Sequence, residues 1–497
     1  MPETKKKFCV TTPLYYVNYR PHIGHAYTTL AADVLARHMR ARGTEVFFQT
    51  GTDEHGASVA RTAAERGSGP KEWADEISAD FERAWKLLNV NYDRFIRTTE
   101  PEHERRVQDA FERMRASGDI YPGSYSDLYC ASCENFYEKK DLLQGGLCPV
   151  HKKIVEEVSE DTYFFRLSGY EKKLLDHYAA NPGFIEPKHR AAEIVNFVRS
   201  GLRDISVSRT KVAWGIPVRS DPKHTVYVWF DALLNYITGA GWEAGGETAE
   251  FRSVWPADVH LVGKEILRFH AVTWPAMLMS LGLPLPRKIY AHGWWTIEGD
   301  KMSKSRGNVV SPADAIKEYG ADALRYFLFR EVPFGHDGNF STESLRKRYN
   351  SELANDLGNL FSRVLNLAKK HLGNKLPHKP EEASALTFAR LRALDADIAA
   401  DIEELRFDRA LDRIWGTVGE LNRGIDARKP WALSKSDPAA LAAFLKDMVW
   451  CLRLVAGWVY PFMPDTSARM QMLMSIGDTE AEGVEPQKIP PLFPRKP

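Results

Sequence analysis

The stretch Phe8–Gln49, FCVTTPLYYVNYRPHIGHAYTTLAADVLARHMRARGTEVFFQ, decides the fold. Phe8-Cys9-Val10-Thr11-Thr12 is strand-like, and Glu45-Val46-Phe47-Phe48-Gln49 reads as a second strand. Between them, after Pro21, the residues Tyr27, Leu30, Ala31, Val34 and Leu35 recur at helical spacing, and Gly43 ends the run. Strand, helix, strand in this order predicts a βαβ unit, hence a parallel sheet with a right-handed crossover. Such sheets bind ligands at the carboxyl ends of their strands.

Further along, Asp258–Gly263 resembles another strand, leading into a helix with Ile266, Phe269 and His270. The block from 116 to 226, rich in charge, aromatics and turns, reads as an insertion between the two halves. The last third changes character. Leu353, Leu357, Leu360, Phe361, Val364, Leu365 and Ala368 keep helical spacing, as do Leu391, Leu394, Ile398, Ile402 and Leu405, then Leu411, Ile414, Val418 and Leu421. Asp437-Pro438 starts another helix, with proline at the favoured first position. These runs predict an α-helical bundle. The tail after Gly477, rich in Pro and Glu, is expected to pack as an extended arm or fray.

With 497 residues the chain is too long for one core, so two to four domains are expected. Its 44% hydrophobic and 27% charged residues are those of an ordinary globular protein. A net charge of +1 points to no nucleic acid by itself, so an RNA role would need local basic patches. The apolar run Ala271–Pro286 is short and interrupted by prolines, which argues against a spanning helix. The lysines before Phe8 leave no room for a secretory segment, and a cytoplasmic protein is expected. Five cysteines are too few for a disulfide scaffold of this size.

Two short elements carry chemistry. His22-Ile23-Gly24-His25 heads the first helix, where unpaired N–H groups and positive potential suit phosphate. Imidazoles there can donate to phosphate oxygens, and Gly24 lets a nucleotide approach the backbone. Lys301-Met302-Ser303-Lys304-Ser305 forms a loop whose two lysines can neutralise a triphosphate as charge moves onto leaving pyrophosphate. Singly, the first reads equally as two surface histidines, and for the second a solvated basic loop is the commoner reading. Their order and wide separation resemble the class I aminoacyl-tRNA synthetases, through essentially the whole chain. That resemblance implies a split Rossmann-like parallel sheet around one ATP site, an insertion between the halves and a C-terminal α-helical bundle.

Three cysteines crowd one segment: Cys130-x2-Cys133-x14-Cys148-x2-His151. Two close pairs can give tetrahedral zinc three thiolates and one imidazole, a closed and therefore structural site. Three free thiols and a surface histidine are the alternative. A single knuckle of this kind also resembles one bacterial-type subgroup of the methionine branch.

That branch matches several further segments: Thr11–Asn18 (TTPLYYVN), Gly51–Gly56 (GTDEHG), Tyr227–Ala232 (YVWFDA), Gly263–His270 (GKEILRFH) and Phe334–Gly338 (FGHDG). The resemblance implies that Asp53 takes the methionine ammonium, and that Leu14, Tyr16, Trp229, Leu233, Tyr236, Ile266, His270 and Trp274 form the side-chain pocket. Aromatic walls suit a thioether, with sulfur–aromatic contacts worth roughly 0.3–1.5 kcal/mol. One methylene is worth only about 1–3 kcal/mol, so size alone does not exclude homocysteine. Lys264 and Glu265 are placed near the nucleotide with Arg209, although the family more often has Asp at the position of Glu265.

By the same resemblance Asn359 and Arg363, one helical turn apart, and Trp431 read the tRNA anticodon, the indole stacking an unpaired base. The implied reaction joins L-methionine to tRNA(Met) through an adenylate, with ATP and Mg2+, a structural Zn2+, no membrane and a monomeric enzyme. The implied domains are 1–115 and 227–293 (catalytic), 116–226 (insertion with zinc knuckle), 294–348 (signature loop) and 349–497 (anticodon). Rivals are a synthetase for another amino acid, a nucleotidylyltransferase and a non-catalytic RNA-binding relative. Nucleotidylyltransferases are usually shorter, and both His25 and Lys304 are present, against the third.

Overall fold

The computed structural model describes residues 7–130, 135–137, 139–150, 152–297, 300–301, 311–372, 385–475 and 489–497. They divide into two compact units, Met1–Pro21 with Gly43–Arg83 and Asn91–His292, and His22–Arg42 with Ala84–Val90 and Gly293–Pro497.

The first unit is built on a seven-stranded parallel sheet of β1 (Phe8–Thr11), β2 (Tyr15–Tyr16), β3 (Val46–Asp53), β4 (Arg94–Arg97), β5 (Ile185–Glu186), β6 (Val259–Gly263) and β7 (Ile289–His292). The order is β2-β3-β1-β6-β7-β5, with β4 also paired to β3. Thr11 registers with Gln49 of β3 on one side and His260 of β6 on the other. Every residue of β6 is buried, as expected for a parallel strand covered on both faces. From β1 the chain steps outward to β3 and β4, then returns to β6 on the opposite side of β1. The carboxyl ends of β1 and β6 therefore form the topological switch point, where open α/β sheets bind ligands. Gly51 of β3 meets the Ile96 carbonyl so closely that a Cβ would lie 1.9 Å from its oxygen.

The insertion read from 116 to 226 contains an antiparallel sheet: Ile120–Cys130 pairs along its length with Glu156–Phe165, flanked by Asn135–Tyr137 and Ile205–Ser206. The same stretch lends β5 to the edge of the main sheet, beside β7. One hydrophobic cluster, including Phe111, Phe165, Phe184, Trp255 and Trp274, joins this stretch to the sheet.

In the second unit the helix Ile23–Ala41 is buried over nearly its whole surface from Ala26 to His38, not along one face as its apolar pattern predicts. Paired charges make that possible. Asp33, fully buried, accepts from Arg37 Nε at 2.7 Å and from Arg325 Nη2 at 2.6 Å. Arg325 also donates to the carbonyls of Leu88, Pro461 and Phe462. A buried ion is tolerated only with partners of this kind. The predicted bundle is present as Asn359–Leu372, Ala385–Glu403, Phe407–Arg428, Pro438–Val459 and Pro464–Ser475. A π-helical stretch, Tyr349–Gly358, precedes it. Asp437 caps its helix by accepting from Ala440 N at 3.0 Å. The tail 489–497 packs as an arm, burying Ile489, Leu492 and Phe493. The fold is mostly parallel α/β with a helical final third.

Candidate active site

The head of the helix Ile23–Ala41 is an unusual cap. Ser, Thr, Asp or Asn normally accepts the first free N–H groups; here two imidazoles do. Gly24 N donates to His22 Nδ1 at 3.0 Å, and His22 N donates to His25 Nδ1 at 3.3 Å. Since both Nδ1 atoms accept, the ring proton of each sits on Nε2. The rings stack with centroids 3.7 Å apart. Burial, then the charge of His22, holds His25 well below the ordinary histidine pKa. Imidazole Nε2–H groups at a helix N-terminus suit phosphate oxygens.

Lys301 lies on Asp300–Lys301, which pairs with Trp295–Ile297 through Thr296↔Lys301. Trp295 meets Tyr27 edge-on, ring centroids 5.6 Å apart. Tyr27 stands two residues after His25, so the strand bearing Lys301 is packed, through its neighbour, onto the first turns of the histidine-capped helix. Ser303 and Lys304 lie outside the described residues, as does the rest of 302–310.

The predicted amino-acid pocket lies in the first unit, at the carboxyl edge of the sheet. Leu14 is half-buried in the loop after β1; Tyr16 on β2 registers with Asp53, the last residue of β3. The helix Val228–Thr238 carries Trp229, Leu233 and Tyr236, and Ile266, His270 and Trp274 follow β6. The structure brings Tyr236, His270 and Trp274 together. Tyr236 Oη is 2.7 Å from His270 Nε2, and His270 Nδ1 is 2.9 Å from the Ile266 carbonyl. A carbonyl only accepts, so His270 carries its proton on Nδ1 and its Nε2 accepts the hydrogen bond of the Tyr236 hydroxyl. Burial lowers the His270 pKa to about 4, and burial, then Tyr15, pushes the Tyr236 phenol up. Both are neutral at pH 7. Trp274 is 5.7 Å from Tyr236, and Trp229 stacks flat on Phe269 at 3.9 Å.

Lys264 and Glu265 sit on a short turn just past β6. The Glu265 carboxylate folds back over Gly263, where a Cβ would lie 2.5 Å from it. Arg209 is buried with its guanidinium 4.2 Å over the Tyr227 ring, donating to Ser206 and Ser208.

Several residues escaped sequence reasoning. Glu54 is fully buried and held by both arms of the Arg97 guanidinium, at 2.6 and 2.9 Å, fixing the turn after Asp53. Its neighbour His55 reaches Asp231. Phe269 supports Trp229, and His260 lies under Tyr236 with centroids 4.2 Å apart. The available signal was the run of polar and charged residues in GTDEHG and the lone carboxylate in the otherwise apolar YVWFDA.

Of the four expected zinc ligands, Cys130 and Cys148 share a small buried cluster with Val155. Cys148 Sγ lies 3.5 Å from Tyr137 Oη. Cys133 and His151 lie outside the described residues, among which no group of three or more ligating side chains is arranged for a metal. Two thiols in so small a core fit a cross-linked knuckle. Asn359 is exposed at the start of its helix, Arg363 is tied to Asp426 at 2.9 Å, and Trp431 is 54% exposed. A large indole left in water suits stacking on a base. No helix among the described residues is long and apolar enough to cross a membrane.

A family model described as class I tRNA synthetases (M) matches residues 8–157 and 137–365. A methionine–tRNA ligase of Caldanaerobacter subterraneus subsp. tengcongensis is 48% identical over 471 residues, 94% of this chain and 73% of that protein. One from Streptomyces coelicolor is 46% identical, covering 94% and 89%. Among solved structures, Mycobacterium tuberculosis methionyl-tRNA synthetase in complex with methionyl-adenylate superposes with a TM-score of 0.91 at 41% identity, covering 99% of this chain and 100% of that one.

Proposed function

This chain belongs to the methionyl-tRNA synthetase family of class I aminoacyl-tRNA synthetases, and from that membership we propose how its residues share the work. It activates L-methionine with ATP and transfers the methionyl group to the terminal adenosine of tRNA(Met). A methionine carboxylate oxygen attacks the α-phosphorus, and the bond to the bridging oxygen breaks to release pyrophosphate. The terminal ribose hydroxyl then attacks the methionyl carbonyl, and AMP leaves. No protein nucleophile is needed, so positioning and electrostatics supply the acceleration.

In this reading His22 and His25 donate their Nε2 protons' hydrogen bonds to the triphosphate, and Gly24 lets it come close. Lys301, Ser303 and Lys304 meet the leaving pyrophosphate, while Lys264 and Glu265 border the nucleotide. Magnesium enters with the ATP to shield its charge. Asp53 pairs with the ammonium group. Leu14, Tyr16, Trp229, Leu233, Tyr236, Ile266, His270 and Trp274 receive the thioether. Asn359, Arg363 and Trp431 read the anticodon. Cys130, Cys133, Cys148 and His151 hold a structural zinc that cross-links the knuckle. The domains divide as 1–115 with 227–293, 116–226, 294–348 and 349–497, in a cytoplasmic monomer.

The observation that most supports the placement of the nucleotide is the histidine cap and its packing, Tyr27 on Trp295, against the strand bearing Lys301. Amino-acid-dependent ATP–pyrophosphate exchange tests the reading. Methionine is expected to be the best substrate of the twenty amino acids, and a better one would overturn the assignment.

A further inference from the structure

We propose that Asp231, gripped between His55 and His103, is a positioning residue that fixes the methionine pocket by locking the helix Val228–Thr238 to the loop after Asp53. The proposal rests on the methionine reading of that pocket.

Asp231 stands between Trp229 and Leu233, on the helix that also carries Tyr236. Its Oδ2 is 2.7 Å from His55 Nδ1, and its Oδ1 is 2.7 Å from His103 Nε2. A carboxylate only accepts, so both imidazoles donate to it. The three side chains are 1%, 4% and 1% exposed, in the order Asp231, His55, His103. His103, on the helix Pro101–Ala116, also places its Nδ1 2.7 Å from the hydroxyl of Thr238, the last residue of the pocket helix. One imidazole thus holds the pocket helix at both ends. His55 holds it to the turn two residues beyond Asp53, a turn already anchored through Glu54 to Arg97 and through the Glu54 carbonyl to Trp214 Nε1.

Burying such charges costs several kcal/mol apiece unless partners are well placed. What the cluster achieves is one fixed register between the element that meets the ammonium and the element that meets the side chain.

The charged groups around His55 are Asp231 from the pocket helix, Glu104 on Pro101–Ala116 with Oε1 3.7 Å from Nε2, and Glu54 on its own turn. Glu54 is taken by Arg97; Glu104 is faced by His55, Asp231, His103 and Lys71. Burial works against a charged His55, but Asp231, then Glu104 and Glu54, outweigh it and raise its pKa above the ordinary value. The clamp therefore keeps its charge to a higher pH than an ordinary imidazole would allow. As pH rises through that titration His55 keeps its hydrogen bond to Asp231 and loses its charge, and the turn after Asp53 loosens.

The test is ATP–pyrophosphate exchange on the full chain, with methionine KM, ATP KM and kcat followed from pH 6 to 9 for wild type, Asp231→Asn and His55→Gln. We expect methionine KM to rise about tenfold or more in Asp231→Asn, with ATP KM nearly unchanged, and the alkaline rise in methionine KM to vanish in both variants. Wild-type methionine KM and pH dependence in either variant would overturn the proposal. So would parallel changes in both KM values, the mark of a general structural defect. If Asp231→Asn does not fold, His55→Gln decides. A wild-type chain that fails with methionine sinks the substrate reading first, whereas active wild type with indifferent variants sinks this proposal alone.

Discussion

His270 carries a chemistry that its residue type does not disclose. Its two nitrogens are committed, one to the Ile266 carbonyl and one to the Tyr236 hydroxyl, and its side chain is buried. A protonated ring would have to donate on both sides, and the phenol would have to turn away. Because burial depresses its pKa to about 4, the unfolded chain binds the proton first as pH falls below about 6.5. Stability from this group is thus complete above pH 6.5 and declines until about pH 4. Between pH 6.5 and 5 the loss amounts to about 2 kcal/mol. Urea midpoints at the two pH values should show it, and His270→Gln should flatten the difference; an equal slope in the variant would refute the assignment. Tyr236→Phe removes the donor to His270 Nε2 and strands a buried acceptor, worth about 1–3 kcal/mol. Methionine KM should rise with ATP KM steady, whereas a shift confined to ATP would place Tyr236 elsewhere.

At the scale of elements, much of the architecture could be read in advance. Periodicity located the opening strands, the histidine-headed helix and the bundle helices, because burial on one face leaves a repeating trace. The polar character of Asp33 and Arg37 concealed that the first helix is buried on all sides, since only tertiary partners such as Arg325 make those charges tolerable inside. β5 was equally hidden: two residues, Ile185–Glu186, are too short for any periodic signal. Within the site, motif residues were legible and their supports were not. Glu54, His55, His103 and Asp231 act through pairings 43 to 176 residues apart, which no local pattern records. The knuckle invites a direct test at this scale. Cys148 is buried in a small cluster with Cys130 and Val155. Cys148→Ala, or chelation, should release about one zinc per chain and expose the segment 130–155 to protease, leaving the urea midpoint of the remainder nearly unchanged. A metal-free wild type with the same protease resistance would end the zinc reading.

The whole molecule joins two outputs, activation of an amino acid and delivery to RNA, and they separate experimentally. Trp431 projects an indole into water on a helix far in sequence from the histidine cap. Trp431→Ala should lower tRNA charging by about ten- to a hundredfold, the loss of one stacked base, while methionine-dependent exchange stays intact. Equal losses in both would deny it an anticodon role. For the other output, the reading proposed above has the two signature elements, nearly 280 residues apart, acting on one nucleotide. Single-turnover adenylate formation in His25→Ala, Lys304→Ala and the double variant measures this directly, because groups serving one transition state are not additive. The double variant should be less impaired than the product of the single losses, by about fivefold or more. Strictly multiplicative losses would contradict it, for then the histidine cap and the lysine loop would not be serving the same triphosphate.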